Sequence, residues 1–482
     1  MSGYRLAAGG TGISRGTPLQ FTWDGEKCYG VAGDSLASAL IACGKTVVAR
    51  GFKYHRPRGV MGAGPEEGGA IVTVGEGARR EPNAKAPCVE LFDGLSASGQ
   101  NAWPNVRRDI GQINDVLSRF FSAGFYYKTF MGLGRGTWEW MQFEKVIRQA
   151  AGMGRASHEA DPDAYEWVHD FCDVLVVGAG PAGLAAAEAC VAAGLDVMVV
   201  EQDFALGGYA LSARDGIEGH AAPDWAAAQI SRLGGARVLP RTTAFGLYDG
   251  NVVGLYEKVT DHLGSPDPRL PRGRIRVVRP GRVILATGAI ERPFAFGHND
   301  RPGVMLASAL QTYVTRFAVA PGQRAVLAGN SRTVYEAATT LAEAGVETAL
   351  LDVRQTPGER TEAARAAGVD IQTGAVAIRA LGGGAVSRLE IGSLMEDGHA
   401  RVQDRRPCDL VGVSGGWSPA IHLVSHRGVK PVWHDELACF LSGEPPAGVS
   451  LTGAAAGVFA MDHALDHALA TAEQAIHGLT GR

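Results

Sequence analysis

Residues 173–201 read DVLVVGAGPAGLAAAEACVAAGLDVMVVE, a stretch in which apolar runs flank a cluster of glycines. An apolar strand, Val174–Val177, leads into a glycine turn at residues 178–183. An alanine-rich helix then runs to about Ala193 and is followed by a second strand, Asp196–Val200. Strand, glycine turn, helix and strand in this order are typical of the unit that binds dinucleotides. The sequence therefore predicts a Rossmann unit.

The three glycines of the turn have separate physical roles. Gly178 permits the tight turn, Gly180 lets the backbone approach a pyrophosphate, and Gly183 lets the helix pack closely on the strand. The phosphates would then meet the unpaired amides at the N-terminus of the helix. The glycine pattern alone is a weak signal, but here both strands, the helix and a downstream acid accompany it.

That acid is Glu201, 23 residues after Gly178, where a carboxylate binds the hydroxyls of an adenosine ribose. It favours NAD or FAD over NADP, whose extra phosphate it would repel. Other contacts to the same cofactor are predicted from the turn and from later loops. They are Pro181, Ala182, Gln202, Gly207, Gly208, Ala244, Thr287, Gly288 and Gly453.

The composition excludes several classes of protein. A chain of 482 residues is too long for one hydrophobic core, so roughly two to four domains are expected. A net charge of −4 with both signs interspersed does not indicate a nucleic-acid partner. No uncharged apolar run reaches the roughly 18 residues that would cross a membrane, and the N-terminus has no apolar core of signal-peptide length.

Cysteine and histidine spacing indicates neither a redox-active pair nor a metal site. The seven cysteines are single, which is typical of reduced thiols in a cytoplasmic protein and excludes the mechanism of a disulfide reductase. His463 and His467 have the i,i+4 spacing of zinc ligands, but no third ligand accompanies them. No metal site is therefore predicted.

Residues 1–105 are predicted to form a β-grasp domain of the kind that carries plant-type [2Fe–2S] clusters. A hairpin turning at Asp24-Gly25 precedes a short helix with Asp34 as its N-cap, and two strands follow. The predicted ranges are Leu19–Trp23, Lys27–Val31, Asp34–Cys43, Ala70–Val74 and Cys88–Phe92. A cluster requires four thiolates spaced like C-x4-C-x2-C…C. The loop expected to supply them, residues 59–69, has no cysteine, so the domain is predicted to have lost its cluster.

Two further segments each allow two interpretations. The loop Arg50–Arg58 carries four cations and two aromatic residues, and is either a phosphate or partner-subunit contact or a solvated basic loop. Residues 106–170 form a connector in which Phe120–Phe130 and Trp138–Phe143 concentrate aromatic side chains. Such stripes usually fill a core, but they are also enriched at permanent subunit interfaces.

The remaining residues are predicted to form two dinucleotide-binding units, the first from 171–295 with 411–482, the second from 296–410. In the second, Ala325–Asp352 repeats the plan of strand, turn, helix and strand. Its turn, residues 329–333, lacks the second and third glycines, so side chains would crowd a pyrophosphate. The second unit is therefore predicted to be empty, with Asp352 matching the ribose acid by position only.

The C-terminal part is predicted to complete the first unit. Strands are expected at Val411–Trp417 and Ser450–Gly453, and a closing helix at Asp462–His477. In FAD enzymes of this plan the last strand ends in Gly-Asp, whose carboxylate binds the ribitol of the flavin. Here residues 452–457 read TGAAAG, without an acid. The missing carboxylate favours NAD over FAD.

Motifs along nearly the whole chain resemble one family, the alpha subunit of heterotetrameric sarcosine oxidase and its N-methyl amino acid dehydrogenase relatives. Besides the glycine turn, they are residues 51–59 (GFKYHRPRG), 81–83 (EPN), 100–104 (QNAWP), 123–130 (AGFYYKTF) and 412–419 (GVSGGWSP). The resemblance favours the interpretation of the basic and aromatic segments as subunit interfaces.

The resemblance implies a division of labour between subunits. The alpha chain would be a cluster-less β-grasp domain fused to a disulfide-reductase-like module that holds NAD as a tightly bound structural cofactor, without catalytic residues of its own. An FAD-containing beta subunit would accept a hydride from the N-methyl carbon of sarcosine or a similar amine. Electrons would pass to FMN at the alpha–beta boundary, then to oxygen or another acceptor. Further small subunits would complete a cytoplasmic heterotetramer.

One departure from the family leaves alternatives open. Family members usually continue into an aminomethyltransferase-like domain that binds tetrahydrofolate, whereas this sequence ends at Arg482. Three explanations agree with this difference: the domain is a separate chain, the enzyme releases formaldehyde, or the substrate has no N-methyl group. Rival functions are the alpha subunit of a proline, hydroxyproline or opine dehydrogenase, a free-standing NAD(P)H-dependent FAD reductase, and a scaffold with an empty nucleotide site.

Overall fold

The computed structural model describes residues 4–120, 132–134, 136–150, 154–395 and 398–481. Except for Phe120, the predicted aromatic segment Phe120–Phe130 lies outside the described residues, as does the family motif at 123–130. Among the helices that are described, none is both long enough and apolar enough to cross a membrane.

The N-terminal region has the predicted β-grasp fold. Its strands form one mixed sheet in the order β2-β1-β7-β5-β6, with helix α1 packed against it. Asp24 and Gly25 turn the β1–β2 hairpin with positive φ angles of 47° and 81°, as a two-residue Asp-Gly turn requires. The elements are β1 Ser14–Trp23, β2 Glu26–Ala32, α1 Leu36–Ala42, β3 Ala49–Arg50, β4 Pro57–Arg58, β5 Ile71–Val74, β6 Glu81–Lys85 and β7 Ser96–Gly99.

The predicted N-cap of α1 is wrong by one residue. Ser35 caps the helix: its Oγ accepts from the Ser38 amide at 3.1 Å, and the Ser38 Oγ accepts from the Ser35 amide at 3.0 Å. The Asp34 carboxylate is instead paired with Arg5, 2.5 Å away. Either side chain suits an N-cap, but the Asp34 carboxylate is already bound by Arg5, by the Val31 amide and by the Ser38 hydroxyl.

The strand predicted at Cys88–Phe92 is also wrong. Ala86–Cys88 form a 3₁₀ turn that contains Pro87, which has no amide to give to a sheet. The segment then passes the start of α1, where the Val89 carbonyl accepts from the Leu36 amide at 2.8 Å. The sheet is completed instead by β6 and β7, which none of the expected strands covers.

Several cations of the basic loop Arg50–Arg58 are paired with acids of the same chain. Neither predicted interpretation, a phosphate or partner contact or a solvated loop, includes this pairing. Helix α2, Ile113–Val116, and the turn before it supply two of the acids, and a longer helix, α3 Trp138–Ala150, follows. His55 Nδ1 is hydrogen-bonded to the Asp109 carboxylate at 2.7 Å, and the ion pairs are Arg56–Asp115 at 2.6 Å and Arg58–Asp300 at 2.6 Å. The loop therefore fastens the connector and the second Rossmann unit to the β-grasp domain.

The first Rossmann unit is built on a sheet of order β10-β9-β8-β13-β12-β11, with β26 added alongside β13. Strand β8 starts at Tyr165, inside the predicted connector, and runs parallel to β13 over its whole length. Helices α4 and α10 pack together on one face. The elements are β8 Tyr165–Val177, α4 Pro181–Ala192, β9 Val197–Val200, α5 Ala222–Arg232, β10 Arg237–Leu239, β11 Thr242–Leu247, β12 Val253–Lys258 and β13 Gly273–Leu285.

The second Rossmann unit has a parallel sheet of order β15-β22-β16-β17-β18 and a meander β19-β20-β21. Strand β22 lies between β15 and β16, so residues 410–413 belong to this sheet and not, as predicted from residue 411 on, to the first unit. Its elements are β15 Val304–Leu306, α6 Ala307–Thr315, β16 Arg324–Ala328, α7 Arg332–Glu343, β17 Glu347–Asp352, α8 Thr361–Ala366, β18 Asp370–Thr373, β19 Ala375–Leu381, β20 Arg388–Leu394, β21 Ala400–Pro407 and β22 Leu410–Val413.

The two units are joined by antiparallel crossover strands, β14 Ala289–Glu291 and β23 Trp417–Pro419. The predicted strand Val411–Trp417 is therefore divided between β22 and β23. The chain ends with α9 His422–His426, β24 Pro431–His434, β25 Cys439–Ser442, β26 Val449–Leu451 and α10 Met461–Thr480, which contains the predicted closing helix.

The β-grasp domain and the second unit share one hydrophobic core. Tyr313 of α6 is fully buried, and its hydroxyl donates to the Gly62 carbonyl at 2.9 Å. The Leu306 amide donates to the Met61 carbonyl at 2.8 Å. These bonds fix the β-grasp domain against the second unit, and the domain also forms part of the cavity described next.

Candidate nucleotide-binding site

A cavity of about 1930 Å³ lies at the carboxyl ends of β8, β9 and β13. This is the edge at which parallel α/β sheets bind ligands. Of the predicted site residues, Gly183 and Gly207 lie behind the wall and the others line the cavity. Those in the wall are Gly178, Gly180, Pro181, Ala182, Glu201, Gln202, Gly208, Ala244, Thr287, Gly288 and Gly453. The tertiary structure thus brings the predicted residues together, and their contacts to a cofactor stay a prediction.

Of the three glycines of the turn, one has space for a Cβ atom and two do not. A Cβ on Gly183 would lie 1.9 Å from the Gly178 carbonyl oxygen, and one on Gly178 would lie 2.3 Å from the Ala286 carbonyl oxygen. Both glycines are therefore required by the packing of the chain itself. A Cβ on Gly180 would meet nothing within 4 Å. Gly180 leaves space in the cavity at the N-terminus of α4, where a diphosphate would lie.

Glu201 is held rigidly at the end of β9. Its Oε2 accepts from the Ala179 amide at 2.8 Å and its Oε1 from the Asp203 amide at 2.9 Å. Burial raises the pKa of this carboxyl group. Each oxygen has a second lone pair, so the carboxylate can still accept from ribose hydroxyls. This arrangement fits the adenosine half of a dinucleotide.

Gly453 and the loop at Thr287 line the cavity next to the glycine turn. Gly453 has φ = 59°, and a Cβ there would lie 2.7 Å from the Ala182 Cβ. The Thr287 hydroxyl donates to the Ala420 carbonyl at 2.8 Å, so its side chain has a partner within the protein. A 3₁₀ turn, Gly453–Ala456, follows strand β26 where flavoenzymes of this plan carry an acid.

In the second Rossmann unit the acid that matches Glu201 by position is already bound. Asp352 is fully buried, and its Oδ2 accepts from the Tyr335 hydroxyl at 2.5 Å. It also pairs with Arg354 at 2.6 Å, and these bonds lower its pKa despite burial, which by itself would raise it. A ribose would have to displace these partners, which supports the prediction that this unit binds no nucleotide.

The loop at residues 59–69 of the β-grasp domain does not fit an iron–sulfur cluster. It contains no cysteine, and its interior is filled by the carboxylate of Glu67, which is 2% exposed. The Glu67 oxygens accept from four backbone amides at 2.5–2.9 Å, those of Met61, Gly62, Gly69 and Ala70. A carboxylate thus satisfies the inward-facing amides of this loop.

A second buried acid lies at the crossover between the two units. Glu291 is 3% exposed, and its Oε2 accepts from the Ser308 amide at 2.8 Å, in the first turn of α6. Its Oε1 has no hydrogen-bond partner in the described part of the chain. Burial raises the pKa of Glu291 to about 7.

We expect this residue to make stability depend on pH. The carboxyl group titrates near 4.5 when unfolded and near 7 when folded, so the folded state holds its proton longer. The free energy of unfolding should therefore fall by up to about 3 kcal/mol as pH rises between those values. Glu291→Gln, which is neutral at every pH, should reduce that fall in urea titrations at several pH values. Equal pH dependence in both proteins would contradict the assignment.

Sequence reasoning missed the contacts that hold the loop after Glu201. Arg316, at the end of α6, makes two hydrogen bonds to the Asp203 carboxylate at 2.6 and 3.1 Å. Its guanidinium also lies 4.8 Å from the ring centre of Phe204. Residues 203 and 316 belong to different units, so no local pattern could have identified this pair.

Comparisons with known proteins agree with this description. Residues 172–438 match the family described as pyridine nucleotide-disulphide oxidoreductase, and residues 16–102 match the 2Fe-2S iron-sulfur cluster binding domain. The predicted order of a β-grasp domain followed by a Rossmann module is confirmed. The second match concerns the fold, because the cluster-binding cysteines are missing from residues 59–69.

Relatives of known function support the predicted resemblance. The chain is 44% identical to the alpha subunit of sarcosine oxidase from Rhizobium meliloti (strain 1021), covering 99% of this chain and 48% of that protein. It is 32% identical to one of the subunits of opine oxidase from Agrobacterium tumefaciens (strain Ach5), covering 39% of this chain and 38% of that protein. The chain therefore spans about half the length of the first relative.

A solved structure, L-proline dehydrogenase from P. horikoshii, matches with a TM-score of 0.59 and 18% identity. The match covers 96% of this chain and 77% of that one. At this identity it shows a shared fold.

Proposed function

Because the chain belongs to the pyridine nucleotide-disulphide oxidoreductase family, we propose that it is the NAD-holding alpha subunit of an amine-oxidising flavoenzyme. NAD would lie across the first unit, with its diphosphate over Gly180 and its adenosine ribose on Glu201. The second unit, around residues 296–410, would stay empty. The observation that carries the proposal is the open space at Gly180 beside a helix N-terminus, combined with a final strand that has no acid for a ribitol.

Amine oxidation is proposed to take place on a partner beta subunit that carries FAD, with FMN at the boundary between the subunits. The substrate would be sarcosine or a similar amine, and NAD would have a structural role. No described group of histidine, cysteine, aspartate or glutamate side chains is arranged to bind a metal ion. All seven cysteines are free thiols, which agrees with the proposed cytoplasmic location.

Large exposed aromatic side chains support the proposal of a partner subunit. Trp138, Trp167 and Phe171 are 74%, 66% and 64% exposed. Trp167 and Phe171 lie on the same face of β8, because alternate residues of a strand share a face. Aromatic residues on a surface are enriched at subunit interfaces. In the predicted aromatic segment Trp138–Phe143, the Trp138 side chain is thus available to a partner.

Cofactor analysis of the purified protein tests this proposal. The chain should be purified alone and after co-expression with the proteins encoded beside it, and released cofactors identified by mass spectrometry. We expect NAD from the chain alone, and FMN and FAD after co-expression. A flavin bound by the chain alone would favour the rival FAD reductase. A co-purified complex that oxidises proline or an opine instead of sarcosine would favour the alternative to which the opine oxidase relative points.

A further inference from the structure

The β-grasp domain forms one wall of the nucleotide cavity. Gly64, Cys88 and Glu90 line the same cavity as Glu201 and Ala244 of the first unit. A nucleotide whose ribose lies on Glu201 would therefore have its adenosine half between the β-grasp domain and strand β11. The domain has no cluster to bind, yet it borders the site.

A bidentate ion pair joins the two sides of this cavity. Arg241 Nε lies 2.6 Å from Glu90 Oε2, and Arg241 Nη2 lies 2.8 Å from Glu90 Oε1. The two side chains are 23% and 21% exposed. Two parallel hydrogen bonds between charged, partly buried groups are stronger than an ordinary surface pair. The pair therefore resists separation of the β-grasp domain from the first unit.

Backbone hydrogen bonds join the main chain at Arg241 to the main chain at Glu201, the proposed ribose acid. The Arg241 amide donates to the Asp203 carbonyl at 3.0 Å, and the Thr242 amide donates to the Glu201 carbonyl at 2.7 Å. Arg241 also has φ = 54°, a left-handed conformation. For a residue other than glycine this conformation costs about 1–2 kcal/mol and persists where neighbouring contacts impose it, often at ligand clamps. Here it directs the guanidinium to Glu90.

Other contacts fix the remainder of the wall. Arg272 pairs with Glu81 at 2.8 Å, and Arg79 pairs with Asp163 at 2.6 Å, both across the same boundary. The β-grasp domain is also held from behind by the core it shares with the second unit. Opening the adenosine end therefore requires the ion pairs along its edge to break.

We propose that the β-grasp domain closes the adenosine end of the nucleotide site, with Arg241–Glu90 as the latch that sets the rate of nucleotide release. This function for a domain without its cluster rests on the proposed nucleotide site. It gives a physical reason for a nucleotide that stays bound: the adenosine leaves only when Glu90 separates from Arg241.

Exchange of bound nucleotide tests the latch. The full chain would be purified, loaded with tritium-labelled NAD, and chased with unlabelled NAD while the retained label is followed by rapid filtration. Glu90→Gln changes only the β-grasp side of the pair, and we expect it to release NAD about tenfold faster, since a charge-assisted pair becomes a neutral contact. Glu26→Gln is the matched control, because it breaks the Lys45–Glu26 pair of the same domain away from the cavity.

A charge-reversed double variant distinguishes loss of the Arg241–Glu90 ion pair from general destabilisation of the fold. Glu90→Arg alone should release NAD fastest, and Glu90→Arg combined with Arg241→Glu should return the rate toward that of the unmodified protein. Equal release from the unmodified protein and Glu90→Gln would overturn the latch while leaving the nucleotide site intact. Unmodified protein that neither contains nor takes up NAD would overturn the proposed function, and the latch with it.

Discussion

Gly180→Asp is expected to lose NAD while the protein keeps its fold. A Cβ at this position meets no protein atom within 4 Å, and it faces the cavity, which has room for the rest of the side chain. Gly180 is the N-cap of α4, a position where aspartate is among the most favourable residues. The new carboxylate would occupy the place of the diphosphate and repel it. We expect at least about 100-fold weaker binding, or about 3 kcal/mol.

The measurement is NAD binding by calorimetry, with thermal unfolding of the nucleotide-free protein alongside. Gly235→Asp is the control: it adds the same charge to the same unit at an exposed position whose Cβ also meets nothing within 4 Å. We expect this control to bind NAD like the unmodified protein. Full NAD binding by Gly180→Asp would show that the diphosphate does not lie over the turn, and would contradict the proposed site.

Glu67→Gln is expected to destabilise the β-grasp domain severely. The substitution preserves the size of the side chain but turns one of its two acceptor oxygens into an NH₂ group. Each oxygen of Glu67 accepts from two backbone amides, one buried and one part-buried, so one such pair would face another donor. An unsatisfied buried amide costs about 1–3 kcal/mol, so a loss on the order of 4 kcal/mol in the free energy of unfolding is expected.

The neighbouring Glu66 supplies a matched control. Both of its loop hydrogen bonds, from the amides of Ala63 and Gly64, go to Oε1. Glu66→Gln can keep both by placing its amide oxygen there, and its loss of stability should stay below about 1 kcal/mol. Urea unfolding followed by tryptophan fluorescence compares the two variants, since Trp23 is buried in this domain. Equal midpoints for the two would show that Glu67 does not organise the loop.

Much of the fold could be predicted because its signals are local. The glycine turn, the apolar strands and Glu201 lie within 29 residues, and the order of these residues specifies a βαβ unit. The repeat at Ala325–Asp352 was recognised in the same way, as β16, α7 and β17 show. The missing cysteines at 59–69 and the missing acid after Gly453 could also be predicted. Each absence is found by comparing one short motif with its usual form.

The predictions differ from the structure where residues distant in the chain determine which of two possible local structures forms. Asp34 is a good N-cap by type, but Arg5 holds it, and Ser35 takes that role. Residues 88–92 have the composition of a strand but lie beside the start of α1. Residues 410–413 are an apolar strand that fits either sheet, and only their position between β15 and β16 assigns them to the second unit.

The class of fold and the positions of the glycine turn and of Glu201 could be predicted from short segments, because backbone conformation and hydrogen bonding within such segments depend on the residues present there. The packing of the domains, which those segments do not encode, places Glu90 against Arg241 at the edge of the cavity. These two residues are 151 positions apart, and no periodic pattern encodes their meeting. It follows from the packing of the β-grasp domain on both Rossmann units.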